Sequence, residues 1–140
     1  MTTATLDTLY NSYDTTDLDI SYLEAGHTAN VDIWFHYGLV VDDPGFVSFG
    51  LASCQTNGSH ICNHWHVIFD GDDLEWLTAP FQKQVACHEV GHTVGLKHSD
   101  VDSHGWALND ARFACMLGVG STPYALVGAH NVGHIHNYYQ

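Results

Sequence analysis

The stretch that decides the fold runs His88-Glu89-Val90-Gly91-His92-Thr93-Val94-Gly95-Leu96-Lys97-His98. It holds three imidazoles and one carboxylate. At ~100° per residue, His88 and His92 lie about 40° apart around a helix and about 6 Å apart along its axis, so their imidazole nitrogens can approach one ion. Zinc binds such ligands at roughly 2.0 to 2.1 Å in tetrahedral geometry. The spacing therefore predicts a helix that binds a metal ion, with zinc as the best fit.

The other residues of the motif predict an open metal site. Glu89 follows the first ligand directly, so it projects beside the metal and can take a proton from water without binding zinc. Gly95 stands where the helix must end, because glycine adopts the left-handed conformation without a Cβ penalty. His98 can then reach the ion from outside the helix. Three protein ligands leave the fourth position for water, which is typical of a catalytic zinc.

A bare His-Glu-x-x-His can arise by chance on any helix, whereas the extended form is far harder to meet by accident. The extended form resembles the signature of the metzincin clan of zinc endopeptidases, His-Glu-x-x-His-x-x-Gly-x-x-His followed by a methionine turn. Ser99 is similar to the matrixin variant of the motif, and Cys115-Met116 is similar to the methionine turn. Residues 124–139 are similar to the closing helix of bacterial secreted matrixin-like or snapalysin-like enzymes.

The resemblance implies an α+β fold over residues 1–140, a single catalytic domain with a mixed twisted sheet, a long active-site helix and a C-terminal helix. It implies a zinc endopeptidase in which Glu89 is general base and acid. Met116 would form a floor beneath the metal. The zinc ligands would be His88, His92 and His98.

Two features depart from the family pattern. Gly118 stands two residues after Met116, so the additional tyrosine ligand of astacins and serralysins is not expected. The segment between His98 and Met116 is longer than in typical vertebrate matrixins, which affects the specificity pocket.

Composition excludes several classes of partner. The 140 residues carry 3 Lys plus Arg against 16 Asp plus Glu, a formal charge of -13, which repels nucleic acid and anionic membranes. No apolar run approaches the ~20 residues that cross a bilayer. We expect a monomer that acts on peptides or proteins. Residues 1–5 lack the pattern of a signal peptide, so either a leader was removed or export follows another route.

Four cysteines, with the resemblance to secreted enzymes, predict two disulfides in an oxidising, extracellular setting. Three pairings are possible. We favour Cys54 with Cys62, because the intervening residues include Asn57 and Gly58 and can close as a loop, and Cys87 with Cys115. The second bond would join the metal helix to the floor beneath it.

Hydrophobic periodicity predicts helices and strands around the motif. The helix that carries the motif should begin at Thr78, with Pro80 in its first turn, and end near Gly95. Other expected elements are a helix over 3–13, strands over 18–23, 30–37 and 64–69, a strand or irregular flap over 46–54, and a last helix over 131–139. The opening strand of the family has no counterpart before the first helix.

The strand over 64–69 is our candidate for substrate binding. The resemblance implies that the edge strand before the active-site helix pairs with extended substrate through main-chain hydrogen bonds. The candidate residues are His64, Trp65, His66 and Val67.

Two further metal sites have simpler explanations. His60, His64 and His66 could hold a second zinc ion, but histidines near a disulfide loop are more often surface residues. Residues 70–73, Asp-Gly-Asp-Asp, suggest calcium but lack the full ligand pattern, so a turn is the simpler reading.

Two rival functions stay open. A non-catalytic zinc-binding or metal-sequestering protein could retain the same fold, although a purely structural site has no need of Glu89. A peptidase of narrow range also fits, because the shape of its pocket depends on loops over 99–125.

Overall fold

The computed structural model describes residues 2–21, 32–40, 48–55, 62, 64–98, 105–107, 109–118 and 122–139. The fold is α+β, as predicted. No helix among these residues is both long and apolar enough to span a bilayer. In chain order the elements are α1 (Thr2–Thr8) continued by a π-helical turn (Leu9–Tyr13), β1 (Ile33–Gly38), β2 (Gly50–Cys54), β3 (Trp65–Asp70), α2 (Gly71–Leu74), α3 (Ala79–Thr93), a 3₁₀ helix (Ala111–Met116) and α4 (Ala129–Tyr138).

Most of the predicted elements are present. The first helix, the helix of the motif, the last helix and the strands near residues 33, 50 and 65 lie where the periodicity places them. Residues 18–21 form no strand, and the rest of the strand predicted over 18–23 lies outside the described residues. The described chain divides into two compact units, one made of residues 1–20 and 77–140 and the other of residues 21–76.

The second unit contains a mixed three-stranded sheet with the order β1-β3-β2. β1 runs parallel to β3, with Trp34 opposite His66, and β2 runs antiparallel to it, with Ala52 opposite Val67. The Cys54–Cys62 disulfide begins at the last residue of β2, with 5.7 Å between its Cα atoms, and confirms the first predicted pairing.

The predicted edge position of the strand over 64–69 is wrong. β3 pairs with β1 on one side and β2 on the other, so the main chain of Trp65, His66 and Val67 is already engaged within the sheet. The physical reason is burial: Val67 is 0% and Phe69 2% exposed, and the strand with the most buried side chains takes the centre of a sheet. Strand addition therefore cannot use this backbone.

The acidic run after β3 is a capped helix rather than a turn. Asp70 Oδ1 accepts hydrogen bonds from the backbone N–H groups of Asp72 and Asp73, at 3.1 and 3.3 Å. Its Oδ2 accepts a third from Val40, at 2.8 Å. The Val40 hydrogen bond is the main cause that holds the pKa of Asp70 below its usual range. These backbone donors explain why the aspartate is buried beside the start of α2.

Within the first unit, α3 packs against α1 and the 3₁₀ helix. Gly91 makes this packing possible, because a Cβ atom there would overlap Sδ of Met116 and lie 3.1 Å from Oη of Tyr13. The side chains of Met116 and Tyr13 therefore approach the helix at this glycine.

Substitution of two helical glycines by alanine should have opposite effects. Gly91→Ala introduces an overlap with Met116 and should lower the free energy of unfolding by about 1 to 3 kcal/mol. Gly133→Ala in α4 meets no atom within 4 Å and should raise it by up to about 1 kcal/mol through helix propensity. Urea unfolding of both variants measures the difference. Equal stabilisation by both alanines would contradict the packing of Met116 on α3.

Candidate metal centre

The helix of the motif presents its first two histidines one turn apart. α3 begins after Thr78, which has the extended backbone of an N-cap, and Pro80 occupies the first turn, as predicted. The rings of His88 and His92 are 4.7 Å apart between centroids and nearly perpendicular, at 89°. Two imidazoles at this spacing can share one ion.

Gly95 ends the helix and turns the chain back towards the histidines. It adopts the predicted left-handed conformation, with φ +86°. The N–H of Gly95 donates to the carbonyl of His92 at 3.1 Å, and the N–H of Leu96 donates to the carbonyl of Gly91 at 2.9 Å. These two bonds form the Schellman motif of a helix C-terminus. Leu96 is then buried, and the next residues bring His98 back to the helix.

The three histidines of the motif come together, as the spacing predicts. Nε2 of His92 and Nε2 of His98 are 2.8 Å apart, and the ring of His98 is 4.8 Å from that of His88 between centroids. Their ligand atoms all lie within 4.8 Å of one another. Two nitrogens bound to a tetrahedral zinc would be about 3.4 Å apart. The donor set therefore fits a metal ion without rearrangement of α3.

Backbone carbonyls orient the two histidines of α3. Nδ1 of His88 is 2.9 Å from the carbonyl oxygen of Cys115, and Nδ1 of His92 is 3.0 Å from that of Leu96. A carbonyl oxygen can only accept, so Nδ1 carries the proton in each neutral ring. Nε2 then keeps its lone pair, which is the tautomer that binds a metal ion.

Partial burial keeps these two rings neutral. Loss of hydration lowers the pKa of His88 to about 3, with a smaller contribution from the nearby His92. Burial is also the largest cause that lowers the pKa of His92. A buried cationic imidazole is costly, whereas the neutral form is the metal ligand.

The second predicted disulfide, Cys87–Cys115, is present, with 5.8 Å between its Cα atoms. It joins the residue before His88 to the residue before Met116. Because the carbonyl of Cys115 accepts the hydrogen bond from His88, this bond helps to position the acceptor. Met116 is fully buried and its sulfur lies against Gly91, between the two histidines of α3 along the helix.

The turn before Met116 contains a strained residue. Ala114 has φ 49° and ψ -124°, in the half of the map that alanine rarely adopts. Such a conformation costs of order 1 to 3 kcal/mol and persists only where its surroundings enforce it. The disulfide at Cys115 follows it directly, and Asn131 Nδ2 donates to the carbonyl of Phe113 at 2.8 Å just before it. Nothing in the sequence pointed to strain at a non-glycine position.

Two buried polar side chains around the site were not predicted. Tyr13 is fully buried and its hydroxyl donates to the carbonyl of Cys87 at 2.7 Å. Gln84 is 1% exposed; its Nε2 donates to the carbonyl of Leu117 at 3.2 Å, and its Oε1 accepts from the N–H of Tyr124 at 3.3 Å. Gln84 therefore connects α3 to the chain beyond Met116. The sequence signal that could have identified Gln84 as buried is its position directly before the apolar residues Val85 and Ala86.

The remaining predicted residues are placed as follows. Glu89 is 6% exposed on α3, directly after His88. His64 and His66 lie in the sheet unit with ring centroids 5.0 Å apart, and His60 lies outside the described residues. Among the described residues, the group of His88, His92 and His98 is the one that brings three ligand atoms together.

Acidification should destabilise the metal-free protein through His88. The unfolded chain binds a proton at this ring near pH 6.5, whereas the folded chain resists protonation down to about pH 3. The free energy of unfolding should therefore be unaffected by His88 above pH 6.5 and fall as the pH drops from 6.5 towards 3, by up to about 1.4 kcal/mol per pH unit. Urea unfolding of chelated protein at pH 7.5, 6 and 5 measures this slope. His88→Asn should show a shallower slope, and an equal slope would contradict the assignment.

The two disulfides should differ in what their removal does. Paired serine substitutions at Cys87 and Cys115, 28 residues apart, should cost about 3 to 4 kcal/mol, against about 2 to 3 kcal/mol for the eight-residue separation of Cys54 and Cys62. Only the first pair should also weaken zinc binding, because it holds the acceptor for His88. Competition with a chromogenic chelator measures this affinity, and unchanged affinity would show that the acceptor is held without the bond.

No family model matches this chain, and neither a curated protein nor a solved structure matches it.

Proposed function

We propose that the protein is a zinc-dependent endopeptidase. The observation that carries this proposal is the convergence of three imidazoles whose α3 members have their Nδ1 atoms occupied by carbonyl oxygens. A carboxylate, Glu89, follows the first of them directly. This combination of neutral ligands and an adjacent base is what hydrolysis of an amide bond at a metal requires.

His88, His92 and His98 would hold the zinc ion. When bound, zinc supplies Lewis acidity, which polarises a carbonyl group and makes water more acidic. Glu89 accepts the proton of the attacking water, whose oxygen bonds to the carbonyl carbon of the peptide. The same carboxyl then delivers this proton to the leaving nitrogen as the carbon–nitrogen bond breaks. The partial burial of the site keeps both α3 imidazoles neutral, so they stay available as ligands at neutral pH.

The metzincin resemblance belongs to the same proposal. It is supported by the Schellman turn at Gly95, which allows His98 to return to the helix, and by Met116 beneath Gly91. The two disulfides are typical of proteins from oxidising compartments, which supports a secreted enzyme of the matrixin or snapalysin type.

Charge supports a preference for basic or neutral peptides. The chain carries a formal charge of -13. Two of its few cations are paired with carboxylates, Lys83 with Asp7 and Arg112 with Asp110. The surface field therefore attracts positive substrates and repels acidic ones, and we expect a monomer that does not bind nucleic acid or membranes.

Replacement of Glu89 by glutamine should separate catalysis from metal binding. Glu89→Gln keeps the shape and the three imidazoles but removes the base, so cleavage of a peptide library should fall by about 10² or more with zinc content unchanged. His92→Ala should lose both zinc and cleavage. Zinc quantitation and a chelator-controlled cleavage assay measure the two properties.

Glu75→Gln is the matched control, because Glu75 is exposed and is not part of the His88–His98 motif. It should retain full cleavage. Full activity in Glu89→Gln would contradict the assignment of the base. Zinc binding by the unmodified protein without cleavage of any peptide would favour the alternative, a non-catalytic zinc-binding or metal-sequestering protein.

A further inference from the structure

The last helix repeats the core of the metal motif. Residues 130–134 read His-Asn-Val-Gly-His, and residues 88–92 read His-Glu-Val-Gly-His. Both pentapeptides are helical, in α4 and α3. The rings of His130 and His134 are 4.6 Å apart between centroids at 86°, and those of His88 and His92 are 4.7 Å apart at 89°. The second pair thus has the arrangement of the first.

We propose that His130 and His134 form a second metal site, a two-histidine chelate for a divalent transition-metal ion. Imidazole suits zinc, nickel and copper, and Cu²⁺ binds such nitrogens most tightly in this series. Both side chains are half-buried, and the Nε2 atom of His130 is shielded from solvent, so a bound ion would lie partly out of water. Water would complete the coordination. The proposal does not rest on the proposed peptidase function.

Aromatic side chains hold one of the two rings. The indole of Trp106 is 4.5 Å from the ring of His130 between centroids, and the ring of Phe113 is 6.1 Å away. A ligand whose orientation is already restrained loses less freedom when it binds. The aromatic contacts therefore restrain the ring of His130, as the hydrogen bond to the carbonyl of Cys115 restrains the ring of His88.

The cation that stacks on Trp106 does not oppose a metal ion strongly. The guanidinium of Arg112 lies over the ring of Trp106, with its Cζ 3.6 Å from the centroid. Its Nε donates to Asp110 Oδ1 at 2.8 Å, and its Nη2 contacts Oδ2 of the same carboxylate. This close pairing neutralises the charge locally, and the formal charge of -13 favours cations in general.

The second site would have no catalytic base. Asn131 occupies the position that Glu89 has in the first motif, and its side chain points inward, 3% exposed, where Nδ2 donates to the carbonyl of Phe113. A bound ion would link two turns of α4, and Asn131 connects that helix to the segment before Met116. The expected effect of the ion is therefore stabilisation of the C-terminal region.

The number of bound ions tests the proposal. The full chain, freed of metal by chelation, is titrated with Zn²⁺ or Cu²⁺ in a calorimeter. We expect two ions for the unmodified protein, one for His134→Gln and one for the double variant His88→Gln/His92→Ala, which leaves a single histidine at the first site. Cu²⁺ bound to this double variant should give an electron paramagnetic resonance spectrum of two nitrogen ligands, and His130→Gln or His134→Gln in that background should abolish it.

His136→Gln is the matched control on the same helix. His136 lies two residues after His134, so it does not share a helix face with it, and its Nδ1 is 3.6 Å from Oδ2 of Asp17. It should still bind two ions. Circular dichroism establishes that each variant is folded, and either substitution of the pair suffices for the comparison. An unchanged second ion in both His130→Gln and His134→Gln would overturn the proposal, as would a single ion in the unmodified protein.

Discussion

The hydrogen bond between Nδ1 of His88 and the carbonyl oxygen of Cys115 is the interaction on which the rest of the site depends. It selects the tautomer that leaves Nε2 free to bind a metal ion, and it joins α3 to the turn before Met116. The disulfide from Cys115 returns to Cys87, the residue before that histidine. His88, the Cys115 carbonyl that accepts its hydrogen bond and the Cys87–Cys115 disulfide are therefore linked in a ring. The strained residue Ala114 directly precedes Cys115, and these links help to enforce its conformation.

Partial burial of His88 and His92 favours the neutral imidazole, which is the form that binds a metal ion. A buried imidazole resists protonation, so the environment that lowers the pKa of His88 also keeps it in the form that binds metal. The same packing places Met116 against Gly91 and the hydroxyl of Tyr13 on the carbonyl of Cys87. Replacement of Gly91 by a larger residue, or loss of the Cys87–Cys115 disulfide, is therefore expected to affect stability and metal binding together.

The sequence alone predicted a large part of the fold and of the candidate site. Spacing of three and four residues is a local property, so it defined the helix of His88 and His92, its end at Gly95 and the return of His98. Alternation located β1 and β3, and both cysteine pairings are present in the structure. The edge position of the strand over 64–69, which the resemblance implied, was wrong, and alternation could not have corrected it because alternation reports which face is buried and not which strands lie on either side.

Other features depended on tertiary structure, because they join residues far apart in the chain. Tyr13 reaches Cys87 across 74 residues, and Gln84 meets Leu117 across 33. The left-handed backbone of Ala114 follows from its surroundings and not from its residue type. The sequence by itself determined which atoms could bind a metal ion, since ligand spacing is local. Only tertiary structure decided the tautomer and the lowered pKa of His88, because both depend on burial and on the carbonyl of Cys115, 27 residues away in the chain.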